Sequence, residues 1–145
     1  DGGKLTLADI RKDYRFNNVD LVALSACNTG VGGEDKDGHE VEGLGVLVQR
    51  QGAKGVLASL WEVADESTGQ FMQLFYSLRQ RQGLSKAEAL QKTQLAFIEG
   101  RVAAELTEAA RARGRQTDAS GKTVEAAGAN HPYYWAPFIL MGNWL

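Results

Sequence analysis

Apolar positions in this chain fall into two kinds of run. Leu21-Val22-Ala23-Leu24 and Gly55-Val56-Leu57-Ala58-Ser59-Leu60 carry no charge and do not alternate. Such runs mark strands of a parallel sheet buried on both faces. They predict strands over Asp20–Ser25 and 55–60, and a similar run predicts a last strand over 138–141. Elsewhere the spacing is helical. Val41, Leu44, Leu47 and Val48 recur on one face until Gly52 stops the helix. Phe71, Leu74, Phe75 and Leu78 do the same within a helix predicted over 66–82. Ser85-Lys86-Ala87-Glu88 is a capping-box pattern that opens a third helix, carrying Leu90 and Phe97 inward. A short strand over 4–7 and a helical turn over 8–12 precede the first strong strand. Residues 100–130 are alanine-rich and charged, then glycine- and serine-rich, and predict a helix extension followed by a variable, mobile insertion. Strand, helix, strand, two helices, strand implies an α/β fold, a mostly parallel sheet flanked by helices in three layers, within one domain over 1–145.

Charge and composition narrow the function. Sixteen Lys plus Arg against eighteen Asp plus Glu leave a net charge of −2, so there is no basic surplus for nucleic acid. The apolar runs are too short to cross a bilayer. No charged-then-apolar leader opens the chain, and nothing argues for secretion. The single cysteine builds no internal disulfide and fits a reducing, cytoplasmic setting. The first residues are Asp1-Gly2-Gly3 rather than methionine, which suggests a piece of something longer, incomplete at its N-terminus. No cofactor motif is present: Gly30-Val31-Gly32-Gly33 matches neither the dinucleotide fingerprint nor a P-loop, and Asp35-Lys36-Asp37-Gly38 lacks the remaining ligands of a calcium loop.

The cysteine, Cys27, follows the first strong strand in Leu21-Val-Ala-Leu-Ser-Ala-Cys-Asn-Thr-Gly30. Ligands of open α/β sheets bind beyond the carboxyl ends of strands. A thiol there can be brought below its ordinary pKa of about 8.5 by backbone N–H groups and a helix dipole. The small neighbours Ser25, Ala26 and Gly30 admit a substrate backbone. The local pattern alone also fits a buried structural cysteine.

Several segments carry a resemblance that weighs against the structural cysteine. LVALSACNTG (21–30) resembles the nucleophile segment of CHAT domains, a caspase-like family often attached to tetratricopeptide repeats and more distantly similar to separases. EVEGLG (40–45), QGAKGVLASLWEVAD (51–65), FYSL (75–78) and HPYYWAPFILMG (131–142) resemble later segments of that family in the same order. The resemblance implies a caspase-hemoglobinase fold and peptide-bond hydrolysis by a Cys–His dyad. Cys27 would be the nucleophile, with backbone N–H groups of Cys27 and Gly30 as oxyanion donors. It also implies a histidine in a His-Gly pair before the nucleophile strand, and no histidine precedes Cys27 here. The partners implied are a peptide or protein substrate, the N-terminal remainder of the domain and tetratricopeptide repeats, with no nucleic acid and no membrane.

Other residues fall around this centre. In the related peptidases an acid at the end of the second strand motif lines the pocket for a basic residue before the cut. Carried over by position, Asp65 is the first candidate and Glu62 the second, with Trp61 as core or pocket wall. Asp65 also stands where an N-cap belongs for the following helix. His39, in the loop after Cys27 and among Asp35, Asp37, Glu40 and Glu42, is an alternative base whose acidic neighbours favour its charged form. His131 before Pro132 reads as a structural cap of the last strand. Arg111 to Arg115 (RARGR) reads as a solvated or nickable stretch.

Overall fold

The computed structural model describes residues 7–24, 39–112 and 130–145. Their elements run α1 (Leu7–Asp13), β1 (Val22–Leu24), α2 (His39–Arg50), β2 (Gly55–Ser59), α3 (Asp65–Gln82), α4 (Lys86–Ile98), α5 (Val102–Ala112), α6 (Pro132–Trp135) and β3 (Phe138–Gly142). They divide into two compact units. One comprises the residues up to Glu62 with Pro137–Trp144, the other Val63–Ala136 with Leu145. Of the short strand predicted over 4–7, residues 4–6 lie outside the described residues, and Leu7 opens α1 instead.

The first unit is a three-stranded mixed sheet in the order β1-β2-β3 with α1 and α2. β1 and β2 are parallel, with Val22 beside Val56, Ala23 beside Leu57 and Leu24 beside Ala58. β2 and β3 are antiparallel, from Gly55 beside Gly142 to Ser59 beside Phe138. The sheet of the described residues therefore has one parallel and one antiparallel pair rather than being mostly parallel. The reason is where β3 starts. Phe138 pairs with the last residue of β2, so β3 can run only back along it. Every residue of β2 is buried, as its uncharged run predicts. In β1 that expectation is not met among the described residues: Val22 and Leu24 are half-buried and Ala23 is exposed.

The core of this unit is Val48, Ala53, Val56 and Ala58, with Phe16, Val22, Leu24, Leu44, Ile139 and Met141 packed against it. Leu44 and Val48 are four apart on α2, so one helical face covers the sheet. Gly45 lies on α2 where the Met141 side chain fills the space of a Cβ. The helix ends in a Schellman motif: Gly52 N donates to Gln49 O (2.9 Å) and Ala53 N to Val48 O (3.3 Å), with Gly52 at φ +107°. Two bonds then tie the loop before β1 to the loop before β2. Phe16 N donates to Gln51 O (2.8 Å) and Lys54 N to Val19 O (3.0 Å). They set the parallel register.

The second unit is helical. Phe71, Leu74, Phe75 and Leu78 of α3, Ala89, Ala96 and Phe97 of α4, and Val102, Leu106 and Ala109 of α5 are buried. Each large side chain so buried contributes roughly 1.5–3 kcal/mol. Leu90 is only half-buried, so α4 turns Phe97 and its alanines inward rather than Leu90. Gly83, left-handed at φ 63°, caps α3 through its N–H to Arg79 O. The predicted continuation past residue 100 is a separate helix. Gly100 (φ +66°) donates to Phe97 O (3.2 Å) and Arg101 N to Ala96 O (2.8 Å), a second Schellman motif that ends α4 before α5 begins. Arg81 bonds Glu108 across α3 and α5 at 3.1 Å. The expected insertion beyond 112 lies, up to residue 129, outside the described residues.

Candidate active site

Ligands of α/β sheets bind at the carboxyl edge of parallel strands. Leu24 stands beside Ala58, so β1 and β2 end on the same edge of the sheet. In the sequence, Cys27 follows β1 by three residues, and Trp61 and Glu62 follow β2. Cys27 itself, and Gly30 with it, lie outside the described residues. So do the glycine-rich stretch and the acidic loop before His39.

The β2 side of this edge is well defined. Ser59 is buried, and Leu60 N donates to Pro137 O at 3.0 Å, which extends the antiparallel pairing one step beyond the strand. After that bond the chain turns outward. Trp61 is 37% exposed and Glu62 is exposed. Trp61 is therefore not a core residue. Sequence reasoning missed the Leu60–Pro137 bond because the two residues are far apart in the chain. The proline before Phe138 marks the start of β3, but not its partner.

Asp65 is the first residue of α3 and is exposed. It is not the N-cap, although its aspartate side chain suggests that in the sequence. The cap is Ala64, extended at φ −50°, ψ 136°, and it makes no side-chain cap bond. Asp65 thus sits one position inside the helix, with Glu66 beside it in the first turn. Negative charge there is favoured by the dipole. Chemically it is a carboxylate at a helix start, of the kind that receives a guanidinium or ammonium.

The histidines separate in a similar way. His39 belongs to the first turn of α2 rather than to a loop, because the helix starts two residues before the first apolar position of its face. His131 is a cap, of α6 rather than of the last strand: its Nδ1 accepts from Tyr133 N at 3.2 Å, with Pro132 at the first helical position. The His-Pro pair signals this, since proline is suited to the first turn and the residue before it is held extended. Among the described residues, no group of three His, Cys, Asp or Glu could hold a metal ion. No helix among them is long and apolar enough to cross a membrane.

A family model described as CHAT domain matches residues 1–143. No curated protein and no solved structure matches the chain.

Proposed function

The chain belongs to the CHAT domain family, related to caspase-like cysteine peptidases, and from that membership we propose that it is the C-terminal portion of a cysteine endopeptidase domain with Cys27 as nucleophile. The observation that carries the reading is the parallel pairing of β1 with β2. It gives the strand that leads to Cys27 and the strand that leads to Trp61 and Glu62 a common carboxyl edge, where α/β sheets bind their ligands.

In this reading the Cys27 thiolate attacks the carbonyl carbon of the scissile peptide bond. Backbone N–H groups of Cys27 and Gly30 receive the oxyanion. Collapse expels the amine, which takes a proton from a histidine upstream of this chain, and leaves a thioester. Water activated by the same histidine hydrolyses it, restoring the thiol. Asp65, with Glu62 second and Trp61 as a wall, draws a basic residue into the position before the cut. His39 is the alternative base. The setting is a reducing cytoplasm, and tetratricopeptide repeats are the expected neighbours. Without the upstream histidine the isolated chain hydrolyses poorly.

A second reading turns on the histidine that the family implies before Cys27. A copy lacking that residue throughout would be a non-catalytic caspase-like interaction domain. Labelling of the full-length natural protein with thiol-directed peptide probes carrying arginine, lysine or leucine decides between them. Labelling that requires Cys27 and prefers arginine or lysine supports the peptidase. Unchanged turnover after Cys27→Ala overturns it. His39→Ala should leave labelling intact if the base lies upstream, and abolish it if His39 is that base.

A further inference from the structure

The side chain of Met141, on β3, lies over Gly45 of α2. A Cβ at that glycine would overlap the Met141 methyl group and stand 3.0 Å from its sulfur. Met141 also packs against the core of the sheet and stands beside Val56 of β2, yet it is only half-buried. α2 depends on this kind of packing, because Gly43 and Gly45 both lower its intrinsic helix propensity. Among the described residues, nothing lies within 4 Å of a Cβ at Gly43. Space therefore demands a glycine only where the methionine sits.

The thioether is the part of this contact that chemistry can change. A hydroperoxide, hydrogen peroxide being the simplest, transfers one oxygen atom to the sulfur lone pair and leaves as water. The product is a polar, chiral sulfoxide in place of an apolar, flexible side chain. Kept over Gly45, the added oxygen presses on the α2 backbone or is buried without a partner, and both oppose the contact. We propose that Met141 is an oxidation site that sets how firmly α2 is held on the sheet. The thioether docks the helix, and the sulfoxide turns out to water and frees it. Both residues belong to the first unit, and the site does not depend on the peptidase reading.

Hydrogen peroxide treatment of the folded chain tests it, followed by dithiothreitol, which reverses disulfide or sulfenic oxidation at Cys27 and leaves methionine sulfoxide in place. Peptide mass spectrometry locates the added oxygen, and amide hydrogen exchange reads the helix. Met141 should be oxidised without unfolding. Exchange over His39–Arg50 should then rise on the order of tenfold while α3 and α4 stay unchanged, and the thermal midpoint should fall by roughly 4 °C. Methionine sulfoxide reductase should restore both. Met141→Leu, similar in volume and unable to form a sulfoxide, should show neither change, although Met72 remains to be oxidised. Met141 left unoxidised in the folded chain, or oxidised with α2 exchange unchanged, would overturn the proposal, as would an equal loss in Met141→Leu. Should Met141→Leu not fold, the first two outcomes, read on the natural chain, still decide.

Discussion

The rings of Phe71 and Phe97 meet at a centroid distance of 5.5 Å and a tilt of 42°, joining α3 to α4. Both side chains are fully buried. Truncating either leaves a cavity in a packed interior, where α3 is also tied to α5 by the Arg81–Glu108 bond. Phe97→Ala should cost about 3–5 kcal/mol, a large share of the stability of a typical domain. Phe97→Leu should cost far less. Urea unfolding of the three proteins, with the slope unchanged, checks this.

Ser77 presents the opposite case. It is fully buried, and its hydroxyl has no hydrogen-bond partner among the described residues. An unsatisfied buried hydroxyl forfeits its hydration for nothing in return. Ser77→Ala removes it, keeps nearly the same volume and raises helix propensity. The variant should be more stable by about 1 kcal/mol. A fall in thermal midpoint would show that the hydroxyl is satisfied in solution.

At the start of α4, Ser85 and Glu88 form a reciprocal box. Glu88 N donates to the Ser85 hydroxyl oxygen (3.3 Å), and Ser85 N to Glu88 Oε2 (2.9 Å). The bond from the Ser85 side chain, then that from its backbone N–H, holds the Glu88 carboxyl below the usual carboxylate range. A carboxyl depressed by folding adds stability that is fully present above its unfolded value. That stability is lost as pH falls through the lower, folded one. The natural protein should therefore lose stability on acidification below about pH 4.3, the ordinary glutamate value, by more than Glu88→Gln does. Parallel curves of thermal midpoint against pH for the two proteins would refute the linkage.

Ala64 caps α3 without a side-chain oxygen, although its backbone is already extended as a cap requires. Ala64→Ser supplies an acceptor for the first-turn N–H groups with no change of conformation. It should stabilise the protein by about 1 kcal/mol. Thermal unfolding reads the gain, and no gain would mean that the first turn is satisfied otherwise.

How much of this was legible beforehand follows from the range of the forces involved. α2, β2, α3 and the Ser85 box were legible because their signals are local: spacing, an uncharged run, a cap three residues from its partner. The direction of β3 was not, since the run Phe138–Met141 is the same read either way. It is decided by Ser59, which pairs with Phe138 from far away in sequence. The break at Gly100 was hidden because alanines and charges on both sides suit a continuous helix, and only its positive φ distinguishes a stop. Aspartate favours the cap position, which suggests Asp65, yet the turn after Trp61 places Ala64 there. At the candidate site the order of the motifs along the chain and the common edge of β1 and β2 were legible. Cys27 and Gly30 lie outside the described residues.

The corrected position of Asp65 sharpens the specificity prediction. As a first-turn residue rather than the cap, its carboxylate makes only a dipole contribution of about 0.3–1 kcal/mol to stability. Asp65→Asn should thus leave a folded protein with a slightly lower thermal midpoint. If the carboxylate meets a basic side chain before the cut, the variant loses a charged hydrogen bond of about 1.5–3 kcal/mol for arginine peptides and nothing for leucine peptides. The ratio of kcat/KM for arginine over leucine probes in the full-length protein should then fall on the order of 10- to 100-fold. A residue acting only on the helix would lower both rates together or neither. Glu62→Gln provides the comparison: if the ratio falls there and not in Asp65→Asn, the pocket belongs to the rim beside Trp61 instead.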